Sequence, residues 1–366
     1  MQNWLIAFFV GIFISLIPGL HINLVKYFSP SDEFIIIAAG SFLVFNILQI
    51  IIFFTSIPEE IAALPLIGKL AQRFSVSTVI MYHSFGALAG LLFAYIFYQN
   101  GSIRDFAILI KPYISIILFF SSLILIIKSK NPFLFLKFFL LSGLVGFLTF
   151  SLVKNEPFLP LFSGLFSIPL LIKRGESLDL EENKSRINFT EILSKSLLSS
   201  LLGSFLGFIA VLLPSISSPS IITTIFLPTI NSAHYISLLS SITSSQYLYA
   251  MYSWQEIKKA RIGWVEGLKS VNENLLIIST IASCFLIIFV TRYLLNKKII
   301  KAFGDFLKPL TIAYILTATL FFSGLNGLIA IIISSLIGEL SIKNNVEKTS
   351  LLGCLIIPTM MIYFQF

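Results

Sequence analysis

The groups in this chain best placed to do chemistry follow two prolines. Pro18 leads into Gly19, His21 and Asn23 within GIFISLIPGLHIN (11–23), and Pro214 leads into Ser215, Ser217 and Ser218 within GFIAVLLPSISSP (207–219). In both stretches a glycine, Gly11 or Gly207, precedes the proline by seven residues, and an uncharged apolar run fills the interval. A proline inside such a run removes a backbone donor and stops or kinks a helix. A helix that stops at membrane depth must face protein or a water-lined cavity with its freed backbone groups. Free N–H groups at the start of a half-helix, reinforced by its dipole, attract a carboxylate or phosphate oxygen. The other reading, that Pro18 and Pro214 kink uninterrupted spans, stays open at this point.

Further polar groups lie in the helix after each proline stretch. Asn46 and Gln49 are three residues apart and share a helix face. In the second half, Ser240, Ser241 and Thr243 belong to a run of hydroxyls, SSITSS (240–245). The amides of Asn23 or Asn46 and the hydroxyls of Ser217, Ser218 and Thr243 could complete an anion shell or coordinate Na⁺ through oxygen. His21 is the candidate for coupling to H⁺, because an unperturbed imidazole titrates at about 6.5. A neutral His21 bonded to a carbonyl of the broken helix is the alternative. No metal site and no cofactor are expected, since the three histidines are widely spaced and no HExxH-type cluster is present. Cys284 and Cys354 both sit in apolar runs, which indicates neither a disulfide framework nor a thiolate metal site.

Composition sets the environment of these groups. Hydrophobic residues make up 57% of the 366 residues and charged residues 11%, with a mean hydropathy of +0.95. Soluble domains carry roughly 25% charge, so the chain is a multi-pass protein of a cell membrane. Its net charge of +8 resides mostly in short loops, where basic residues meet anionic headgroups and not nucleic acid.

The elements that must position the polar groups can be read in order. Spans are expected at Trp4–Val25, Phe34–Ile57, Ser77–Tyr98, Phe106–Ile127, Phe133–Val153 and Phe158–Ile172. The first lacks the basic start and cleavage site of a signal peptide and reads as a retained helix. The third carries a small-residue stripe, HSFGALAG (83–90), that suits close helix packing, with His83 as a hydrogen-bonded packing residue. Residues 173–191 form a polar connector between a first membrane half, 1–172, and a second, 192–366. The second half opens with Ile192–Leu213. Ser220–Ile230, at eleven residues, is too short to cross a core that needs about 20 in helix, so a re-entrant or half-helical element is expected there. Ala233–Tyr252, Leu275–Thr291, Pro309–Gly338 and Ser350–Phe366 follow. Pro309–Gly338 is uncharged for thirty residues but broken by SGLNG (323–327), which suggests two packed half-helices or a hairpin. The expected fold is an all-α polytopic membrane protein of roughly ten to twelve membrane elements, in two related halves with broken or re-entrant helices.

Simple alternation places Lys69/Arg73, Lys128/Lys130 and Lys173/Arg174 on one side with the N-terminal end, which the positive-inside rule makes cytoplasmic. The same alternation puts the cluster Arg292–Lys308 outside. Either the Ser220 segment or the Ala233 segment is therefore expected not to cross.

The stretches at 11–23, LLPSISSP at 212–219 and SLLGCLIIPTMMIYF at 350–364 resemble the TctA family of tripartite tricarboxylate transporter permeases, in particular its shorter archaeal members. The resemblance implies duplicated halves that move a small organic anion by ion-coupled alternating access. It places the family's two proline motifs on Pro18-Gly19 and Pro214-Ser215, with Asn46 and with Ser240, Ser241 and Thr243 in the helices that follow. The glycine expected after the second proline is here Ser215, which departs from an identical backbone bend. Bacterial members work with a small membrane subunit and a solute-binding protein, and this shorter chain departs from their length.

The function expected is thus a secondary transporter for a small organic anion. A flippase or exporter of a lipid-linked phosphate such as polyprenyl phosphate is the first alternative, since the same half-helix ends would bind phosphate and the 37 phenylalanines could line an opening to lipid. An intramembrane lipid-modifying enzyme is the second, and it lacks a GxSxG, an HExxH or a pair of intramembrane aspartates.

Overall fold

A computed structural model describes residues 2–17, 22–28, 31–53, 76–99, 103–172, 189–215, 232–260, 262–294 and 297–364. Among these the chain is entirely helical. Among the described residues six helical stretches are long and apolar enough to cross a membrane: Ser77–Tyr98, Ile103–Lys128, Pro132–Leu152, Ile192–Leu212, Glu273–Thr291 and Phe306–Lys343, the last of which is bent in two at Gly324. The protein is therefore a polytopic all-α membrane protein, as its composition requires.

Helix α1 (Gln2–Leu16) is followed by a 3₁₀ turn at Ile22–Leu24, a short α2 (Val25–Phe28) and α3 (Asp32–Phe53). The indole N–H of Trp4 donates to Glu33 at 2.7 Å, and a Cβ on Gly11 would overlap the carbonyl of Ala38 and the hydroxyl of Ser41. Contacts that advance together along both helices make α1 and α3 parallel. Yet α2 lies back at the face where α3 begins. Lys26 bonds Glu266 at 3.1 Å, and Asp32 accepts the backbone N–H groups of Lys269 and Ser270 at 3.0 and 2.8 Å. The expected first span, Trp4–Val25, is accordingly not a crossing. It enters from the Asp32 face, stops after Leu16 and returns to the same face.

Two more helices run the other way as a second parallel pair, α10 (Phe189–Leu212) and α11 (Ser232–Ile257). Ser196 Oγ pairs with Ser237 Oγ at 3.0 Å, Ser241 Oγ donates to Ser200 O at 2.7 Å, and a Cβ on Gly207 would overlap Ser245. Helix α11 ends at the Asp32 face, where Arg104 N–H donates to Glu256 at 2.8 Å. It is the innermost element, buried from Tyr235 to Ser253.

Between the pairs lie α4 (Val76–Tyr98), α5 (Ile103–Ile110), α6 (Ile114–Lys128) and α7 (Pro132–Leu152). Asn131 caps α7, its side chain accepting Leu134 N–H at 3.2 Å, with Pro132 opening the helix where a missing donor costs nothing. The next element runs from α8 (Phe158–Phe162) through a π turn to α9 (Ile168–Ile172).

After α11, a 3₁₀ turn at Gly263–Val265 leads to α12 (Glu273–Leu294). Then α13 (Lys297–Lys343) reverses at Gly324, whose φ of 68° and ψ of −163° suit only glycine. A Cβ on Gly327 would lie 3.2 Å from Thr319, a distance that a continuous helix cannot give to residues eight apart. The hairpin allowed by SGLNG is thus what forms, and Asn326 Nδ2 ties its tip to Leu152 O at 3.0 Å. Helix α14 (Gly353–Phe364) closes the described chain, parallel to α7.

The exposed Phe, Leu and Ile side chains of α1, α6, α7 and α13 form the outer surface. Lipid can cover such a surface, so its exposure carries no penalty.

Candidate functional site

Glycines pack against serines at the centre of the bundle. In the first pair Gly11 rests on Ala38 O and Ser41 Oγ; in the second, Gly207 rests on Ile242 O and Ser245 Oγ. Each serine bonds the very carbonyl beside it, Ser41 to Ala38 at 3.1 Å and Ser245 to Ile242 at 3.0 Å. The same notch, a carbonyl and the serine three residues on, receives Gly40 of α3 at Leu276/Ser279 of α12 and Gly86 of α4 at Ser237/Ser240 of α11. A hydroxyl satisfied by its own helix exposes no unpaired donor to an apolar interior, and glycine opposite it lets two backbones approach.

This places most of the polar residues singled out by sequence. Ser240 Oγ donates to Ile236 O and Ser237 O at 3.0 and 3.1 Å, and Thr243 Oγ1 to Leu239 O at 3.1 Å. Ser241 Oγ reaches Ser200 O across the α10–α11 contact. All three are buried in helix contacts. Asn46 is buried on α3, and its Oδ1 has no hydrogen-bond partner among the described residues. Asn23 lies in the return turn, where its amide packs within 2.8 Å of where a Cβ on Gly263 would sit. His83, as expected of a packing residue, places Nε2 3.3 Å from Leu43 O. Pro18, Gly19, His21, Ser217, Ser218 and the segment Ser220–Ile230 lie outside the described residues, as does Gln49's side chain.

Pro214 and Ser215 occupy different surroundings. Helix α10 stops at Leu212, and Ser215 takes φ = 67°. The residue thus adopts a conformation that favours glycine, although no glycine stands there. Its hydroxyl pairs with that of Thr359 on α14. Both border a cleft of about 570 Å³, within the range of small-molecule sites, that is partly open to the outside. Phe147 and Phe150 of α7, Phe158, Leu355 and Met361 wall it, with Ala260 at the Asp32 face. Leu213–Ser215 and Leu355–Ile362, from two of the three stretches behind the TctA resemblance, therefore meet at this cleft. Asn46, Ser240, Ser241 and Thr243 do not line it.

Sequence reasoning missed Thr359, Pro358 and the phenylalanines of α7. The one available signal was Pro358-Thr359 inside an apolar terminal run. Also unforeseen was the loop cluster around Glu156, which accepts from the Tyr27 hydroxyl and lies 3.7 Å from Lys26. Burial first, and then the bond to Glu156, push the Tyr27 phenol well above its ordinary pKa.

No family model matches the chain, and no solved structure matches it. It is similar to an uncharacterized protein, MJ1079, of Methanocaldococcus jannaschii, at 25% identity over 389 aligned positions covering 97% of this chain and 96% of that protein.

Proposed function

We propose that the chain is a secondary transporter that moves an organic anion, one presenting carboxylate or phosphate oxygens, by alternating access. One observation carries this reading: α1/α3 and α10/α11 are parallel pairs of opposite direction, each with its glycine seated on a carbonyl–serine notch seven residues before its proline. Two such pairs are what an inverted repeat produces, and inverted repeats with interrupted helices are a recurring basis of alternating access. On this reading 1–172 and 192–366 are the two halves, and α4 and α12 are their exchanged third helices. Each packs on the second helix of the other half, α4 on α11 and α12 on α3. The TctA resemblance belongs to the same proposal, as do the coupling ion, Na⁺ or H⁺, and any accessory subunit.

Orientation follows from charge. The face bearing Lys128, Lys130, Lys343 and Lys348 is the basic one, because α3, α9 and α12 also end at it, each followed in sequence by basic residues: Lys69/Arg73, Lys173/Arg174 and Arg292–Lys308. The Asp32 face mixes both signs, with Asp32, Glu33, Glu156, Glu256, Glu266 and Glu273 beside Lys26, Arg104, Lys258, Lys259 and Lys269. The positive-inside rule then makes the Lys128 face cytoplasmic. This keeps the Lys128 face where simple alternation put it and moves only the start of α1, now counted as re-entrant, to the opposite side. The conflict over Arg292–Lys308 goes because α10 and α11 both end at the Asp32 face, so that α12 leaves from that face and ends at the Lys128 one.

The experiment is counterflow in proteoliposomes preloaded with di- or tricarboxylates, with and without Na⁺ and a pH gradient. Saturable uptake of labelled anion, accelerated by unlabelled anion inside, is the expected result. Equilibration without acceleration would indicate a pore, and absence of any anion flux would overturn the reading.

A further inference from the structure

We infer that the cleft at the second proline break takes a single-chain membrane lipid with an anionic oxygen head. The inference rests on the transporter reading for the lipid's role as cargo, though not for its binding. Three features of the cleft select this occupant. Its walls are large and apolar, Phe147, Phe150, Leu355 and Met361, which suit a hydrocarbon chain and offer nothing to a free hydrated anion. It is partly open, and of its walls Phe147 is 44% and Met361 45% exposed on the surface that lipid covers. That side gives access from the bilayer.

The third feature is polarity confined to one end. Ser215 and Thr359 hold their hydroxyls together inside the cleft, and Ala260 forms its rim at the Asp32 face. Lys258 and Lys259, both exposed, immediately precede Ala260. The ammonium of Lys258 lies 5.8 Å from the Trp254 ring centre. An aliphatic chain lying in the cleft, between α7 and α14 on one side and the end of α10 on the other, would thus carry its charged head toward the lysines at the interface. A volume of about 570 Å³ accommodates one chain and not the two of a bulk phospholipid.

The test is equilibrium binding of radiolabelled dodecyl phosphate to the full chain in nanodiscs of zwitterionic lipid. One saturable site is expected, uncompeted by a hundredfold excess of inorganic phosphate but competed by dodecanoate. Met361→Trp, which fills the cleft from its exposed side, should weaken binding about tenfold. Lys259→Glu, on the open surface and independent of cleft packing, should weaken it about threefold, more at low salt. Non-saturable uptake would reduce the site to annular lipid and overturn the inference. Competition by inorganic phosphate would assign the site to a free anion, and binding unaffected by Met361→Trp would place it outside the cleft; either result overturns the inference equally. Counterflow of carboxylates unaffected by Met361→Trp, without dodecyl phosphate binding, would sink the lipid inference and leave the transporter standing. Saturable binding without any counterflow would do the reverse.

Discussion

Two faces of one helix, α10, meet opposite environments. Ser196, Ser200, Gly203 and Gly207 face α11 in a dry polar contact, while Ala210 and Leu213 belong to the wall of the Phe-lined cleft. The polar face is the closed one and the apolar face borders the open one. The reason is that serine and glycine are small, and hydroxyls such as those of Ser196 and Ser241 bond across the contact, so two helices can close upon it. Large aromatic side chains around a strained turn leave space, and next to a bilayer that space is not costly. In this protein, therefore, a run of serines marks contact and a cluster of phenylalanines marks an opening.

The contrast can be broken most forcefully from the serine side. Gly90→Val would put a branched side chain into Ser241 and Ser244, and overpacking of this kind costs about 3 kcal/mol. A large drop in the denaturant midpoint and in monodisperse yield is expected. Phe147→Ala, in the cleft wall, should leave both nearly unchanged. Equal damage by the two would remove the distinction between a packed contact and an open cleft.

A smaller effect sharpens the cleft side. Ser215 at φ = 67° tolerates glycine and disfavours a β-branched residue. Ser215→Val should lower stability by about 1–2 kcal/mol, whereas Ser215→Gly trades relief of strain against a lost hydrogen bond and should fall within about 0.5 kcal/mol of the parent. Thermal unfolding in one detergent checks the order. Ser215→Val equal to Ser215→Gly would mean that the turn is not held in that conformation.

How far these regions were legible follows from the same physics. Apolar run length gave α4, α6, α7 and α12 closely, because an uninterrupted run of some twenty residues has few alternatives in lipid. SGLNG gave the α13 hairpin, because glycine alone takes the backbone angles at 324 without strain. The re-entrance of α1 was not legible: Trp4–Val25 is long enough to cross, and only the contacts of Trp4 with Glu33 and of Lys26 with Glu266 reveal that it returns. Ser240, Ser241 and Thr243 looked like site residues because membrane polarity often marks function. The bonds of Ser240 and Thr243 to carbonyls three and four residues back, and of Ser241 to Ser200 O across the contact, are invisible in sequence. Cleft residues from α7 and α14 are remote in the chain from Pro214, and nothing in a single sequence joins them.

The Asp32 face gives a third comparison through pH. The Tyr27 phenol has a raised pKa and donates to Glu156 in its neutral form. A raised folded-state pKa stabilises fully below the unfolded value of about 10 and loses that contribution as pH climbs toward the folded value. Tyr27→Phe should cost about 1 kcal/mol, constant from pH 6 to 9. Above pH 10 the gap should narrow, since the parent alone loses stability there. A gap that changes between pH 6 and 9 would mean that another group titrates in the contact.

The smallest effect tests the dry contact most directly. Ser240→Ala and Thr243→Ala each remove a hydroxyl that bonds only its own helix backbone. Such bonds contribute about 0.6 kcal/mol in membrane interiors, since the freed carbonyl keeps its helical N–H partner. Both variants should therefore unfold within that margin of the parent and show parental counterflow. The sequence pattern alone would have given the opposite expectation, with loss of anion uptake from hydroxyls lining a site. If Ser240→Ala abolished counterflow while leaving the unfolding midpoint in place, α11 would have to rotate or separate from α4 during the cycle and bring that hydroxyl to the substrate. The serine contact would then be the moving surface of the transporter, and the cleft at Pro214 its fixed edge.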